Sequence, residues 1–375
     1  MKIEVDREML LRGITIADSI ISSRTISTIL SNCLLNISEY GIEIISTDNE
    51  IGIKTQVPAK SDKSGSFTVN GKKFASILKE MPKGDVILDI DDSFLVHVRS
   101  KGVKGNYKLF GTSRGDFPDV PGFDDDKSIE VDQQMFKDVI RKVIYAAATD
   151  LIKPAFNGVY FVSEEHGTLS AVATDSKRLA LYTLPINPEV KIEEGIIIPL
   201  KTIHEISRLL TSTGNCRFYL GQTQCFFRIG DTMVVSRVVD GQFPNYKQVI
   251  PKEQKMNALV DTGKLIESLR RVMIFTREPS YKVILKFSSD NLKIEARTQD
   301  IGEAEEELSI ALNCEEEITI GISGQYLFDA VKEIDSDQVV LGITSQISPV
   351  VVRPEGEEKH ISVIMPIQIR SDSSE

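Results

Sequence analysis

The chain has 375 residues, of which 41% are apolar, and a formal net charge of -11. It is long enough for two or three domains with a core in each, so a wholly disordered chain is excluded. No run of eighteen apolar residues occurs and the start, MKIEVDREMLL, lacks the basic-then-apolar order of a signal peptide, so a soluble cytoplasmic protein without a membrane partner is expected.

The first predicted elements are a strand, Ile3-Glu4-Val5-Asp6, and a helix over REMLLRGITIADSI. Leu10, Ile14, Ala17 and Ile21 recur there at three- and four-residue spacing, and Asp6 stands where a cap belongs. A hairpin-like run, YGIEIISTDNEIGIKTQVP, comes next, then a strand-helix-strand unit, SFTVNGKKFASILKEMPKGDVILDI. Gly102-Val103-Lys104-Gly105 imitates the GxxG loop of an RNA-binding module but lies between alternating runs and reads as a hairpin turn.

Residues 113 to 122, SRGDFPDVPG, contain Arg114-Gly115-Asp116, a tripeptide that invites an adhesion reading. The longer string has a near copy at Gly241-Gln242-Phe243-Pro244-Asn245, which keeps the Phe-Pro pair and lacks the arginine. Both read as domain exits, where proline ends a strand and phenylalanine anchors the chain to the core. The carboxylates Asp124, Asp125 and Asp126 that follow are expected to be a solvated linker and not a metal site.

The offset between the two exits exposes a repeat. Ile129-Glu130-Val131-Asp132 with QQMFKDVIRKVIYAA, and Leu259-Val260-Asp261 with TGKLIESLRRVMIF, repeat the opening strand and helix. GIIIPLKTIHEISRLLTSTGNCRFYL and EITIGISGQYLFDAVKEIDSDQVVLGI repeat the second unit, and Thr47-Asp48, Thr174-Asp175 and Thr298 fall at matching hairpin positions. The expectation is an α+β fold of three similar domains, 1-122, 128-252 and 256-375, each with two helices packed on antiparallel sheet.

Fourteen basic and eight acidic residues fall on the predicted outward helix faces, including Arg12, Lys72, Arg141, Lys142, Lys201 and Arg271. That excess of about six positive charges leaves about seventeen negative ones on strands and loops. A basic wall on an acidic chain suits phosphate contact at any sequence.

No enzyme is legible. His97, His166, His204 and His360 stand at no metal-ligand spacing, and there is no P-loop, nucleophile elbow or HExxH. Cys33, Cys216, Cys225 and Cys314 form no CxxC pair and are expected to be buried free thiols. Neither a cofactor nor a metal is expected.

The triplication, Arg24 before an apolar strand, Phe156-Asn157-Gly158-Val159, Ala173-Thr174-Asp175-Ser176-Lys177-Arg178-Leu179-Ala180, Val239-Asp240-Gly241-Gln242-Phe243-Pro244-Asn245-Tyr246 and Met365-Pro366-Ile367 resemble the bacterial DNA polymerase III beta subunits, the replicative sliding clamps. The resemblance implies a processivity factor without catalysis, a head-to-tail homodimeric ring of clamp domains around duplex DNA. It implies as partners the DNA polymerase III catalytic subunit, a clamp-loader complex, and other polymerases and repair proteins carrying clamp-binding peptides.

By position it implies DNA contact by Arg24, Lys72 and Lys201, and a dimer interface with Lys73, Ile274 and Phe275. A partner-peptide cleft is implied from Phe156, Thr174, Ser176, Arg178, Leu179, Pro244, Val249 and Ile250, with Ile347, Val363, Met365, Pro366 and Ile367. Gln368 stands where the family often has a basic residue, and Phe156 where it often has leucine.

Overall fold

The computed structural model describes residues 1–21, 29–115, 117–150, 152–164, 167–186, 195–313 and 316–369. Its helices fall two to a repeat: α1 (Arg7–Asp18) and α2 (Gly71–Glu80), α3 (Gln133–Ile144) and α4 (Leu200–Leu209), α5 (Thr262–Val272) and α6 (Gly324–Lys332). Asp6, Asn70, Asp261 and Ser323 cap α1, α2, α5 and α6, each accepting a hydrogen bond from a first-turn N–H. Such caps satisfy donors that the helix itself leaves free.

The chain packs as two compact units that cut across the repeats, Met1–Gln134 with His204–Val238, and Met135–Ile203 with Val239–Glu375. In the first unit thirteen strands share one sheet. The middle repeat enters it through Thr232–Arg237, which pairs antiparallel with Ile51–Pro58, placing Thr232 opposite Thr55. Their hydroxyls meet at 2.9 Å.

Leu10, Ile14 and Ala17 of α1 and Phe74 and Leu78 of α2 join Ile3, Val5, Phe67, Val86 and Leu88 in one buried cluster. α1 lies so close to the sheet that a Cβ on Gly13 would stand 2.6 Å from Val57 Cγ2 and 2.8 Å from Ile44 Cδ1.

At the first domain exit Phe117 is buried against Leu34 and Ile45, as a proline-terminated strand anchored by an aromatic ring requires. Arg114 is paired with Asp119, and Asp116 lies outside the described residues. The carboxylates that follow are exposed, as expected of a linker, but one of them is also tethered. Asp125 is paired with Arg217 and accepts from Arg228 at 2.8 Å, and Arg228 lies over the Phe123 ring at 4.3 Å. The connector is therefore strapped to a sheet face by arginines distant in sequence.

The second unit holds a nine-stranded and a four-stranded sheet. Arg178–Pro185 of the middle repeat pairs antiparallel with His360–Ile364 of the third, with Leu179 opposite Val363. α5 and α6 bury Leu265, Leu269, Val272, Leu327 and Val331 against strand residues of the third repeat. At the second exit Phe243 stacks on Tyr160, their centroids 4.6 Å apart and the planes 2° from parallel.

Phe117→Ala empties a ring site inside the first unit. It is expected to lower the unfolding free energy by about 3 kcal/mol, seen as a lower urea midpoint at unchanged far-UV dichroism.

Candidate functional site

Two hairpin turns of the repeat have the same hydrogen-bonded geometry. Thr47 Oγ1 donates to the Ile51 carbonyl at 2.9 Å, and Asp48 Oδ1 accepts from the amides of Glu50 and Ile51. Thr174 Oγ1 donates to the Arg178 carbonyl at 2.6 Å, and Asp175 Oδ1 accepts from Lys177 and Arg178. Asn49 and Ser176 take matching φ values of 75° and 76°. In the second unit this turn gathers Thr174, Ser176, Arg178 and Leu179, with Ser176 exposed, Arg178 half-buried, and Thr174 and Leu179 buried.

Leu179 and Val363 face each other across the strand pair in an apolar cluster with Val172, Phe243 and Tyr246, and Ile250 packs against it. Met365 runs past this cluster with its amide donating to the Lys177 carbonyl at 2.9 Å, and the Ile367 amide donates to the Gly321 carbonyl at 2.7 Å. Met365, Val249 and Ile347 are exposed apolar side chains, Ile347 at 84%. Pro244 is exposed, whereas Pro366 and Ile367 are half-buried.

Phe156 lines a polar cavity of about 420 Å³ with Ser176, Arg178 and Tyr326. Lys153 Nζ stands 5.2 Å from the centre of the Phe156 ring.

Arg178 is held from several sides. Its guanidinium donates to Asp175 at 3.1 Å and to Asp329 at 2.5 Å, and lies 4.4 Å from the Tyr326 ring centre. Sequence reasoning missed Asp329 and Tyr326, whose proximity depends on α6 and the Thr174 turn meeting in space. Tyr246 and Phe243 lay inside the quoted Gly-Gln-Phe-Pro-Asn-Tyr string, so their signal was present.

The helices also carry a biased charge. Arg12, Lys72, Lys73, Lys79, Lys201, Arg208, Lys264, Arg270, Arg271 and Lys332 are exposed, against the acids Glu8, Glu80 and Glu267. Two residues expected on outward faces do not belong there. Lys142 is buried and Arg141 half-buried, because Arg141 donates to Glu333 at 2.8 Å and Lys142 Nζ lies 2.8 Å from Asp335. Arg24 and Cys314 lie outside the described residues.

Models of the DNA polymerase III beta subunit match this chain in order: the N-terminal domain over residues 1–121, the central domain over 130–245 and the C-terminal domain over 247–368. The chain belongs to the DNA polymerase III beta subunit family. It is 28% identical to the beta sliding clamp of Halalkalibacterium halodurans over 98% of this chain and 100% of the relative. The Bacillus subtilis beta sliding clamp is 24% identical with the same coverage. The crystal structure of the Pseudomonas aeruginosa DNA polymerase III subunit beta superposes with a TM-score of 0.93 at 27% identity, covering 98% of this chain and 100% of that one.

In this beta-subunit chain several strand edges are at least partly unpaired among the described residues, one of them on Tyr107–Thr112. Tyr107–Thr112 pairs with Leu95–Ser100 along Tyr107 to Phe110, but meets Gly65–Asn70 only at Gly111 and Thr112. Tyr107 and Phe110 are exposed, Phe110 at 88%. Gly302–Ser309 is a terminal strand of the four-stranded sheet, with sequence GEAEEELS. Ile274 is 68% exposed, Phe275 packs partly against the third repeat's core, and Lys73 is exposed on α2.

Among the described residues no cluster of His, Cys, Asp and Glu could hold a metal ion, and no helix is long and apolar enough to cross a membrane. Cys33, Cys216 and Cys225 are buried free thiols, and burial pushes Cys216 and Cys225 up to about 12.

Beside the Arg141–Lys142 cluster, His360 is buried, and among the described residues neither ring nitrogen has a partner within ordinary hydrogen-bond geometry. It packs edge-on to Tyr182 at 5.8 Å. Burial, and then the Lys142 charge, depress its pKa from 6.5 to about 4, with Arg141 acting in the same direction and Asp335 opposing.

Two predictions follow from this geometry. A Cβ at Gly321 would stand 2.6 Å from the Ile367 carbonyl oxygen, so Gly321→Ala should displace the Met365–Ile369 segment and speed hydrogen exchange at the Ile367 amide about tenfold. The second concerns acid. Because His360 takes up its proton in the unfolded chain first, the stability held by its neutral ring is full above pH 6.5 and is lost as the pH falls toward 4, by roughly 3 kcal/mol. His360→Phe should flatten the dependence of Tm on pH across that window.

Proposed function

We propose that this chain is a DNA sliding clamp, a ring-forming processivity factor with three domains spanning 1–122, 128–252 and 256–375. Two copies close head to tail, the Tyr107–Phe110 edge of one pairing with the Gly302–Ser309 edge of the other, so that both open edges are satisfied. Arg99, Lys101, Lys104 and Lys108 surround the first edge, and Glu303, Glu305 and Glu307 lie along the second. Opposite charge would orient the encounter and disfavour like-with-like pairing. Ile274, Phe275 and Lys73 belong to this interface.

The observation that carries the reading is the exposed cationic bias on helices of all three repeats in a chain of charge -11. Duplex DNA passes through the ring against these helices, with Arg24, Lys72 and Lys201 touching phosphates and no base being read. Topological linkage then keeps a tethered polymerase at high local concentration without tight DNA binding. This role requires no catalysis by the chain.

The groove around Leu179, Val363 and Met365, extended by Phe156, Thr174, Ser176, Pro244, Val249, Ile250, Ile347, Pro366 and Ile367, takes short peptides. Their bearers are the DNA polymerase III catalytic subunit, the clamp loader, and other polymerases and repair proteins in the cytoplasm. Arg178, fixed between two carboxylates, shapes the groove wall and holds the turn; its own charge is already matched.

Protein loaded onto nicked circular duplex should stay bound through gel filtration and be released when the circle is cut once. Retention on the linear molecule would contradict topological linkage. Ile274→Asp should reduce the solution mass from two chains of 41.7 kDa to one and abolish retention on the circle.

A further inference from the structure

The repeat puts equivalent positions where helices meet joined sheet in each compact unit, and the two units treat them differently. In the second unit Tyr182 stands opposite His360 across the strand pair, with the ring centres 5.8 Å apart. Lys142 Nζ lies 5.1 Å from the centre of the Tyr182 ring and 2.8 Å from Asp335. Tyr182, His360 and Lys142 are all buried, so two rings and an ammonium group take up this space.

The first unit carries smaller side chains at the same positions. Thr55 and Tyr182 each stand eight residues after their turn threonine, Thr47 or Thr174, and Thr232 is opposite Thr55 as His360 is opposite Tyr182. Ile16 and Lys142 are the tenth residues of α1 and α3. Thr211 and Asp335 each lie eleven residues beyond the first residue of α4 and α6. Where the second unit has rings and an ion pair, the first has a cavity of about 350 Å³ lined by Ile16, Thr55, Thr211 and Thr232. That volume falls in the range of small-molecule sites, about 300 to 1,000 Å³.

The lining also holds an unsatisfied polar group. Thr55 and Thr232 are 3% and 5% exposed, and among the described residues their hydroxyls bond only to each other. Two hydroxyls carry two hydrogens and their contact uses one, so a buried donor beside the cavity lacks an acceptor. Met9, Ile16, Val57 and Leu209 form apolar walls, and the charged lining residues are one of each sign, the exposed Arg12 and Asp231. Apolar walls, a hydroxyl pair and balanced charge suit a neutral ring with one polar edge. We propose that this cavity binds a small neutral aromatic molecule of the phenol class, whose ring takes the place that Tyr182 and His360 occupy in the second unit. The site lies wholly within the first unit, apart from the peptide groove. Its ligand would brace the seam between Ile51–Pro58 and Thr232–Arg237, where the Gln56 amide donates to the Asp231 carbonyl at 3.0 Å.

The test titrates the full-length protein, labelled at its Met and Ile methyl groups, with p-cresol and with toluene. Saturable p-cresol shifts are expected at Met9 and Ile16, and toluene, which lacks the hydroxyl, should bind about fivefold more weakly. At ten times its dissociation constant p-cresol should slow hydrogen exchange at the Gln56 amide about tenfold. Thr55→Val with Thr232→Val keeps the side-chain shape and should reduce p-cresol to the affinity of toluene. Thr55→Tyr with Thr232→His installs the ring pair of the second unit and should abolish the Met9 and Ile16 shifts at unchanged far-UV dichroism. No saturable shift at Met9 and Ile16, shifts confined to Met365 in the groove, or equal affinity for p-cresol and toluene in the unaltered protein overturns the site. The reading of the chain as a clamp depends on none of these outcomes.

Discussion

A strand with an unpaired edge carries a row of backbone donors and acceptors that water, another strand or another chain must satisfy, and that constraint organises this protein. A repeat built on antiparallel sheet always ends in such edges. Two of them are closed within the chain, where Thr232–Arg237 meets Ile51–Pro58 and where Arg178–Pro185 meets His360–Ile364. The middle repeat is thereby divided, one part continuing the first repeat's sheet and the other the third's, which is why the compact units do not follow the repeat boundaries. Among the edges left open, Tyr107–Phe110 and Gly302–Ser309 belong to the two outer repeats, with basic residues near the first and glutamates along the second, the condition under which identical chains can close on one another instead of aggregating.

The groove grows out of the same constraint. The hairpin turn formed at Thr47 and Asp48 is repeated at Thr174 and Asp175, next to a strand that the third repeat must pair. Pairing brings Val363 opposite Leu179 and leads the chain past the turn as Met365, so an apolar recess appears at the joint. Its walls are held by charge. Arg178 is fixed by Asp175 from its own turn and Asp329 from α6, so a side chain that appears from the sequence to be a peptide contact acts first as a strut. Exposed apolar side chains around a rigid frame suit recognition of varied peptides, since Met and Ile adapt while the backbone does not.

Charge segregation works on a larger scale. Helices expose lysine and arginine while the net balance of the chain is acidic, so the attraction to phosphate is local and the protein as a whole repels nucleic acid elsewhere. Contacts of this kind are weak individually and insensitive to sequence, the combination that lets a bound duplex move.

The amino-acid sequence by itself determined the triplication, the helix positions, their caps at Asp6 and Asp261 and the two Phe-Pro exits, because periodicity, capping and turn chemistry act over a few residues and repeat at a fixed offset. It also carried the family resemblance through the Thr-Asp turn and the Gly-Gln-Phe-Pro-Asn-Tyr string. Tertiary structure alone decided which charges are available. Asp125 has the sequence surroundings of a solvated linker, yet Arg217 and Arg228 hold it; Arg141 and Lys142 have those of an outward helix face, yet Glu333 and Asp335 draw them inward. Their partners lie about a hundred to two hundred residues away, and no local pattern encodes a Coulomb partner that only the folded chain brings within 4 Å.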